Sequence, residues 1–313
     1  APSTFNQITQ GQLFFNSTTN TFKETISDVA SGSWASGTDL STVRSFHAMA
    51  ATSSDAAIAF GGNPGSTANT EQYDGSSWTE KNNLNTGRSS LRGFGTVSAA
   101  IGAGGYLPPG TVNNVESWDG TNWTEVNEIN SARQLPGRGG TQTAGIIFGG
   151  YTTTLSTVTE LWNGTSWTET ADMNTSGDYV SSFGSQTSAI AGNRYQPGSS
   201  PAYTQNKVES WNGSSWTEVA EMNTARAEMS GEVGATGASG LIAGGSPNGS
   251  SQVANTELWN GSSWTEIADL GTARRNYGAG GPNSSGILTG GTGDTNGTEE
   301  WNAPLANKTI TTS

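Results

Sequence analysis

A ten-residue segment with two aromatic positions recurs along this chain and restricts the folds open to it. It reads ELWNGTSWTE at residues 160–169, and close copies stand at residues 71–80, 116–125, 209–218 and 257–266. A less regular copy surrounds Trp34, so the second Trp of the segment returns at steps of 44 to 49 residues. A period of about 40–50 residues is typical of folds that repeat one small sheet.

Each repeat is predicted to contain four short strands. After the Trp strand come a turn and an Arg, then a strand rich in Gly and Ala, then a small apolar strand that ends in two glycines. A loop of variable length leads to a Glu-x-aromatic strand, and Asp-Gly or Asn-Gly joins it to the next Trp strand, which is a strong hairpin signal. In the fourth repeat, Gly192-Asn193 is aligned with the glycine pair.

Composition and charge exclude several classes of function. Thirteen basic and 26 acidic residues give a net charge of −13 without a basic cluster, so we predict no nucleic-acid partner. No apolar run reaches the roughly 18 residues of a membrane helix, so we predict no membrane insertion. The chain has no Cys, which removes disulfides, thiol catalysis and Cys-ligated zinc. Eleven Trp favour a folded chain over a disordered one.

The double glycine, the third-strand aromatic and the fourth-strand Trp resemble the repeats of the kelch β-propeller family. This resemblance implies an all-β fold with six four-stranded blades around a central channel. The last repeat lacks its Trp strand, so the segment around Trp34 is predicted to close that blade from the N-terminal side. We therefore divide the chain into an N-terminal hairpin or attachment segment (1–30), a six-bladed propeller (31–303) and a C-terminal tail (304–313).

The residues shared by all repeats are interpreted as scaffold. All eleven Trp, with Tyr73, occupy the two repeated aromatic positions and are predicted to pack the blades. The fourth-strand positions are Trp34, Trp78, Trp123, Trp167, Trp216 and Trp264. The repeated Arg and Glu are predicted to pair and fix blade geometry: Arg44, Arg88, Arg133, Arg226 and Arg274 with Glu71, Glu116, Glu160, Glu209, Glu257 and Glu299. The fourth repeat has Gly177 in place of its Arg.

No catalytic or metal-binding constellation is evident in the sequence. His47 is the single His, so a metal site of several His cannot form, and we interpret it as a packing or channel-lining residue. The copper oxidases with a kelch-like fold need two His and a Cys-modified Tyr, which this chain cannot supply. We therefore predict that the protein is not an enzyme and has no cofactor.

The candidate ligand-binding residues lie where the repeats differ, because variable loops on a shared scaffold are the usual place for function. The loop between second and third strands is longest in the fourth repeat, at residues 193–207. Strand alternation predicts that these loops share one face with the turns before the Arg positions. The candidates there are Tyr106, Tyr151, Arg194, Tyr195, Gln196 and Tyr203. They suit a sugar or a protein surface, and a merely drifted repeat with a solvated loop is the alternative.

The two ends of the chain suggest a location. Residues 11–26 read as a hairpin and resemble short modules common in bacteriophage tail-fibre proteins, and residues 308–313 resemble the ends of kelch-like virion proteins of marine phages. This resemblance implies a non-enzymatic virion surface protein, an adhesion, fibre or decoration component, located on the virion or extracellular. Its partners would be other virion proteins or a host surface glycan or protein, and it could be an oligomer. The alternatives are a secreted lectin-like polysaccharide-binding propeller and, more distantly, a glycan-active enzyme.

Overall fold

The computed structural model describes residues 11–196, 203–229, 233–293 and 295–309. This part of the chain is built from antiparallel strands with one short 3-10 turn, Val29–Ser31, and contains no α-helix. The predicted all-β class is therefore confirmed. No helix among the described residues is long and apolar enough to cross a membrane.

Six four-stranded antiparallel sheets account for most of the described strands, and each sheet matches one repeat. They are numbered 1 to 6 by their first strands. Sheet 1 comprises Ala48–Ser53, Ala56–Phe60, Thr70–Tyr73 and Trp78–Lys81. Sheet 2 comprises Arg92–Thr96, Ala99–Ala103, Val115–Trp118 and Trp123–Val126. Sheet 3 comprises Gly137–Thr141, Ala144–Phe148, Thr159–Trp162 and Trp167–Glu169.

The remaining three sheets follow the same order, with one exception. Sheet 4 comprises Ser182–Ser185, Ser188–Ala191, Val208–Trp211 and Trp216–Val219. Sheet 5 comprises Val233–Thr236, Ser239–Ala243, Thr256–Trp259 and Trp264–Ile267. Sheet 6 comprises Gly278–Gly280, Ser285–Thr289 and Thr298–Asn302, and its fourth strand is Ser33–Ser36 from the N-terminal part of the chain. Trp34 pairs with Trp301 in the register of that last sheet.

Three smaller sheets lie outside this pattern. Two are hairpins in the loops of sheets 2 and 4, formed by Tyr106–Leu107 with Gly110–Thr111 and by Arg194–Gln196 with Tyr203–Gln205. The third joins the two ends of the described chain, because Thr21–Ser27 pairs with both Leu13–Asn16 and Leu305–Thr309. The segment predicted as a C-terminal tail therefore contributes a strand as far as Thr309.

The Asp-Gly and Asn-Gly turns have the geometry that their sequence requires. The first residue accepts hydrogen bonds from the backbone N–H groups two and three residues ahead, as Asp74 does from Ser76 and Ser77. The glycine that follows has a φ between 91° and 96°, where a side chain would strain the backbone. The Ser76 hydroxyl also donates to the Asp74 carboxylate, and this bond together with the backbone bonds lowers the pKa of Asp74 to about 2. The equivalent residues are Asp119, Asn163, Asn212 and Asn260.

The repeated aromatic residues form the cores between neighbouring sheets. The third-strand Trp side chains are at most 2% exposed, and those of the fourth strands of sheets 1 to 5 are buried as well. Trp123 of sheet 2 donates its indole N–H to Thr70 of sheet 1, so the aromatic rows also tie one sheet to the next. Trp34 is only half-buried and donates to Thr256 of sheet 5.

The first strands lie together in the middle of the fold. Each first strand contacts the first strand of the next sheet in chain order, and that of sheet 6 contacts that of sheet 1. Backbone hydrogen bonds continue this series just before the strands: Ser90 N–H donates to Phe46, and Phe46 N–H donates to Asn276. Neighbouring sheets in chain order are thus in contact through their first strands.

The connections between strands lie on two opposite faces. The variable loops lie beside the turns that precede the Arg positions, as the bond from Leu84 N–H to the Ala68 carbonyl shows. We call this side the variable-loop face. The turns between first and second strands lie beside the Asp-Gly and Asn-Gly turns, and the backbone of Gly75 approaches Asp55 there. We call this side the turn face. This arrangement agrees with the strand-alternation prediction.

Candidate functional site

Among the described residues, six buried Arg–Glu ion pairs, one per sheet, lie under the loops and turns of the variable-loop face. Five have Nη–Oε separations of 2.5 to 3.4 Å, and Arg44 pairs with Glu71 in the same way. Each Glu stands on the third strand of its sheet, and five of the six Arg precede the first strand. The five are Arg44, Arg88, Arg133, Arg226 and Arg274, and the sixth is Arg194.

Each Glu of these pairs also fixes the turn in front of its sheet. Glu116 Oε2 accepts bonds from the backbone N–H and the side-chain amide of Asn85, at 2.7 and 3.0 Å. The same Asn85 amide donates to the carbonyl of Trp123 on the fourth strand. Glu160, Glu209 and Glu257 make the equivalent bonds. The carboxylate therefore joins the Arg, the turn and the outer strand into one network.

In sheet 4 the paired Arg stands at a different place in the repeat. Arg194 follows the second strand, whereas the other five Arg precede the first strand. Arg194 Nη1 donates to Glu209 Oε1 at 3.0 Å and to the Thr175 carbonyl at 2.6 Å. In sheet 2, Arg88 Nη1 donates to Glu116 and to Thr86, which are the equivalent acceptors. A Cβ on Gly177 would lie 2.6 Å from the Arg194 side chain. Arg194 therefore fills the space that a side chain at position 177 would occupy.

The backbone register corrects the sequence alignment of this repeat. In sheets 2 and 3 the residue after the Arg forms a bridge with the residue after the glycine pair, as Ser89 does with Tyr106. In sheet 4, Asp178 forms this bridge with Tyr195. The positions equivalent to the glycine pair are therefore Asn193 and Arg194, and the alignment with Gly192-Asn193 was wrong by one residue.

Arg194 consequently does not lie where the sequence analysis expected it. It was expected on the binding face, but its side chain is fully buried, and this burial is the main cause that lowers its pKa. A guanidinium in this position cannot reach a ligand on the surface. The scaffold role of Arg194 could have been recognised in the sequence. This repeat lacks its usual Arg, at position 177, and also the second glycine of its pair, at position 194.

Three of the candidate Tyr occupy one equivalent position on consecutive sheets. Tyr106, Tyr151 and Tyr195 each follow the glycine-pair position and bridge to the residue after the Arg position, namely Ser89, Gln134 and Asp178. All three side chains are half-buried, so each presents part of its ring on the variable-loop face. The equivalent residues of sheets 1, 5 and 6 are Asn63, Ser246 and Thr292. The face thus has a Tyr half and a polar half.

The other two candidates belong to the hairpin of the long loop. Gln196 and Tyr203 are paired in its register. Their side chains, and residues 197–202 between them, lie outside the described part of the structure. Nothing therefore places their side chains relative to the Tyr half of the face.

Two aromatic rings that sequence reasoning missed lie at the centre of the variable-loop face. Phe46 and Tyr179 stand two residues after the Arg positions of sheets 1 and 4, and their ring centroids are 6.4 Å apart. Tyr195 contacts Tyr179 edge to face at the same centroid distance. The only signal in the sequence was positional, since both residues follow the Arg position of their repeat by two residues. In the structure the residue at this place has a positive φ in every repeat. These positions are Phe46, Ser90, Leu135, Tyr179, Glu228 and Asn276.

A largely buried charged cluster adjoins these rings. Glu228 and Arg275 form an ion pair with a separation of 2.5 Å, and Asp178 is 7% exposed. Burial raises the pKa of Asp178 to about 7; the positive charge of Arg92 opposes this shift and the Glu228 carboxylate adds to it. Burial also raises the pKa of the Tyr179 hydroxyl. Perturbed carboxylates of this kind concentrate at functional sites, although structural clusters also perturb them.

The raised pKa of Asp178 predicts a pH-dependent stability. The folded state holds this proton up to about pH 7, whereas an unfolded Asp releases it near its usual pKa of about 4. The contribution of Asp178 to the free energy of unfolding is therefore full below about pH 4 and is lost as the pH rises through 7.

The test compares the wild type with Asp178→Asn, which cannot ionise, by urea unfolding at about pH 5 and about pH 8. From about pH 5 to about pH 8, the free energy of unfolding is expected to fall further for the wild type than for the variant. Equal losses in both proteins would show that Asp178 is ionised throughout this range.

His47 is a packing residue in this structure. Its ring is fully buried, and Nε2 lies 2.9 Å from Thr289 Oγ1. Burial lowers the pKa of His47 well below its usual range, and Arg44 lowers it further. Among the residues that the structure describes, no group of three or more His, Cys, Asp or Glu is arranged to hold a metal ion.

The variable-loop face presents aromatic rings and neutral polar groups together. The Tyr half provides flat apolar faces with hydroxyl groups, and the polar half provides amide and hydroxyl groups. In comparisons with known proteins, no protein-family model and no curated protein matched this chain.

Proposed function

We propose that the six sheets are the blades of a closed six-bladed kelch-like β-propeller with a non-enzymatic binding function. Three observations support the closed ring. The first strands contact one another in a cyclic series, backbone bonds link Phe46 to both Ser90 and Asn276, and the N-terminal strand Ser33–Ser36 completes sheet 6. Such closure leaves only short, protected strand edges at the centre of the ring.

The proposed ligand is a host or environmental glycan bound on the variable-loop face. The observation that carries this proposal is the arc of Tyr106, Tyr151 and Tyr195 at one repeated position on three consecutive sheets. The backbone of each Tyr is fixed by a bridge to the residue after the Arg position, and its ring is half-buried. Such a ring can stack on a sugar ring with little loss of side-chain entropy. The polar half of the face offers neutral donors and acceptors to sugar hydroxyls. A net charge of −13 disfavours acidic polysaccharides.

The double variant Tyr106→Ala/Tyr151→Ala tests this site. We expect its affinity for a glycan identified on an array to fall at least about tenfold, because each exposed ring contributes contact area that Ala lacks. Its melting temperature should stay near that of the wild type, because both side chains are half-buried. The control is Phe22→Ala on the sheet at the chain ends. Unchanged glycan affinity in the Tyr variant would place the binding site elsewhere.

A virion surface location is proposed from the resemblance of the two ends to phage proteins. One structural observation favours assembly through this end of the molecule. Leu13, Phe15 and Phe22 are 65%, 50% and 61% exposed on the sheet that joins the ends, and the rings of Phe15 and Phe22 pack at 5.3 Å. Exposed aromatic residues in contact are typical of surfaces covered by a neighbouring subunit. A secreted lectin-like propeller and, more distantly, a glycan-active enzyme are the alternatives.

Density-gradient fractionation of the natural source distinguishes these locations. A virion component should co-sediment with DNA-filled particles and capsid protein, whereas a secreted binding protein should remain at the top of the gradient. Turnover of labelled oligosaccharides by the purified protein would instead favour the enzyme.

A further inference from the structure

The sheet that joins the two ends of the described chain has one face directed to solvent. We call it the terminal sheet, and its strands are Leu13–Asn16, Thr21–Ser27 and Leu305–Thr309. Residues alternate between the two faces of a sheet, and partners in register share a face. Phe15 is the register partner of Phe22, and Leu13 lies two residues before Phe15, so these three share one face. Thr25 belongs to the other face and is fully buried, so that other face packs on the protein.

The solvent face of the terminal sheet is the most apolar exposed surface of the described chain. Five large hydrophobic side chains are exposed among the described residues, and the three most exposed are Leu13, Phe22 and Phe15. The rings of Phe15 and Phe22 are in contact, with their centroids 5.3 Å apart. Contiguous apolar patches mark interaction surfaces, whereas single apolar residues scattered over a surface do not.

The charge of this region differs from that of the whole protein. Residues 1–23 contain no Asp or Glu, although the chain has 26 acidic residues and a net charge of −13. Glu24 and Lys308 are register partners on the apolar face, and they give it one charge of each sign. Net charge keeps copies of a protein apart, so two acidic copies can approach each other most easily where their surfaces are neutral. A basic partner would instead be attracted to the acidic remainder of the surface.

The apolar face is complementary to itself under a two-fold rotation. Phe15 and Phe22 lie side by side on neighbouring strands. A two-fold axis parallel to these strands and between them therefore places Phe15 of each copy over Phe22 of the other. Both copies then contribute the same residues, as in the two-fold interfaces that are the commonest among soluble oligomers.

We propose that two copies of this chain form a two-fold dimer through the apolar faces of their terminal sheets, with Phe15 of each copy against Phe22 of the other. This inference rests on the assembly role proposed for this end of the molecule, and it specifies the neighbouring subunit as a second copy.

The proposed contact lies away from the candidate glycan site. The terminal sheet is connected to Ser33 and Asn302, which pair with each other at the end of sheet 6. Asn302 also accepts a hydrogen bond from the Ser54 hydroxyl, in the turn between the first and second strands of sheet 1. The terminal sheet is therefore attached on the side of the turn face, and the dimer leaves both variable-loop faces outside the contact.

Sedimentation velocity of the full chain tests the dimer. The wild type should change from monomer to dimer as its concentration rises from about 1 to about 100 μM, because a small patch supports only weak association. A monomer at every concentration would overturn the proposal, and so would a trimer, because a two-fold contact closes with two copies. This measurement needs neither a glycan nor a virion. A dimer found together with a negative glycan result would reject the proposed function and leave this contact standing.

A double variant locates the contact. Phe15→Ser/Phe22→Ser is expected to raise the dissociation constant of the dimer at least about tenfold, because both rings leave the interface. Both side chains are exposed, so the melting temperature should stay near that of the wild type. The matched control is Leu107→Ser, which removes an exposed hydrophobic side chain from the loop of sheet 2 and should dimerise normally. Wild-type association of the double variant, or an equal loss in the control, would overturn the assignment.

Discussion

Replacing Arg194 by Gly is expected to lower the free energy of unfolding by about 3–5 kcal/mol, because the buried Glu209 carboxylate loses its cation. Arg194 also donates to the Thr175 carbonyl, so a second buried acceptor loses a partner. Chemical denaturation of the wild type and the variant measures this difference. The matched control is Lys207→Ala, just before the third strand of sheet 4, whose ion pair with Glu218 is 3.5 Å long and partly exposed on both sides. Such a surface pair contributes about 0–1 kcal/mol.

The double variant Gly177→Arg/Arg194→Gly is expected to recover most of this loss. It returns the Arg to the position that it has in the other five sheets and removes the side chain that occupies the same space. Gly177→Arg alone should be destabilised, because two guanidinium side chains would compete for one buried site. If the double variant is no more stable than Arg194→Gly, the two positions do not exchange the same structural role.

Trp167→Ala is expected to cost about 3–5 kcal/mol, the range of large aromatic deletions in a packed core. The Trp167 ring is 7% exposed, packs on Trp162 at a centroid distance of 5.2 Å and meets Phe94 of sheet 2. Its indole N–H donates to the Asn127 carbonyl, which connects sheets 2 and 3.

Trp167→Phe separates packing from this hydrogen bond. It keeps an aromatic ring and loses the indole N–H, so it should be clearly more stable than Trp167→Ala in the same denaturation experiment. Equal stability of Trp167→Ala and the wild type would mean that this repeated Trp does not hold neighbouring sheets together.

The sequence was sufficient for the features that depend on local pattern. Asp74-Gly75 and its copies predicted the hairpin turns, because only a narrow set of residues tolerates that backbone geometry. The period of the Trp residues predicted one four-stranded sheet per repeat, because period-two strands with buried aromatics must pack on their neighbours. The pairing of Arg88 with Glu116 followed from their recurrence in every repeat.

The candidate site was predictable only in part. Tyr106, Tyr151 and Tyr195 were assigned to the correct face, since loops that join strands in a fixed order alternate between the two sides of a sheet. Arg194 was assigned to the surface because a loop position gives no information on where a long side chain ends. Its burial depends on the space left at Gly177, which lies in the turn before the first strand of sheet 4.

The sequence by itself thus determined the all-β class, the repeat boundaries and the turns, because these follow from contacts within one repeat. Only the tertiary structure decided which residues meet at the centre of the fold. Phe46 and Tyr179 are separated by three repeats and contact each other, and Arg138 reaches Ala279 from the far side. Such contacts depend on the placement of all six sheets together, and no local sequence pattern encodes them.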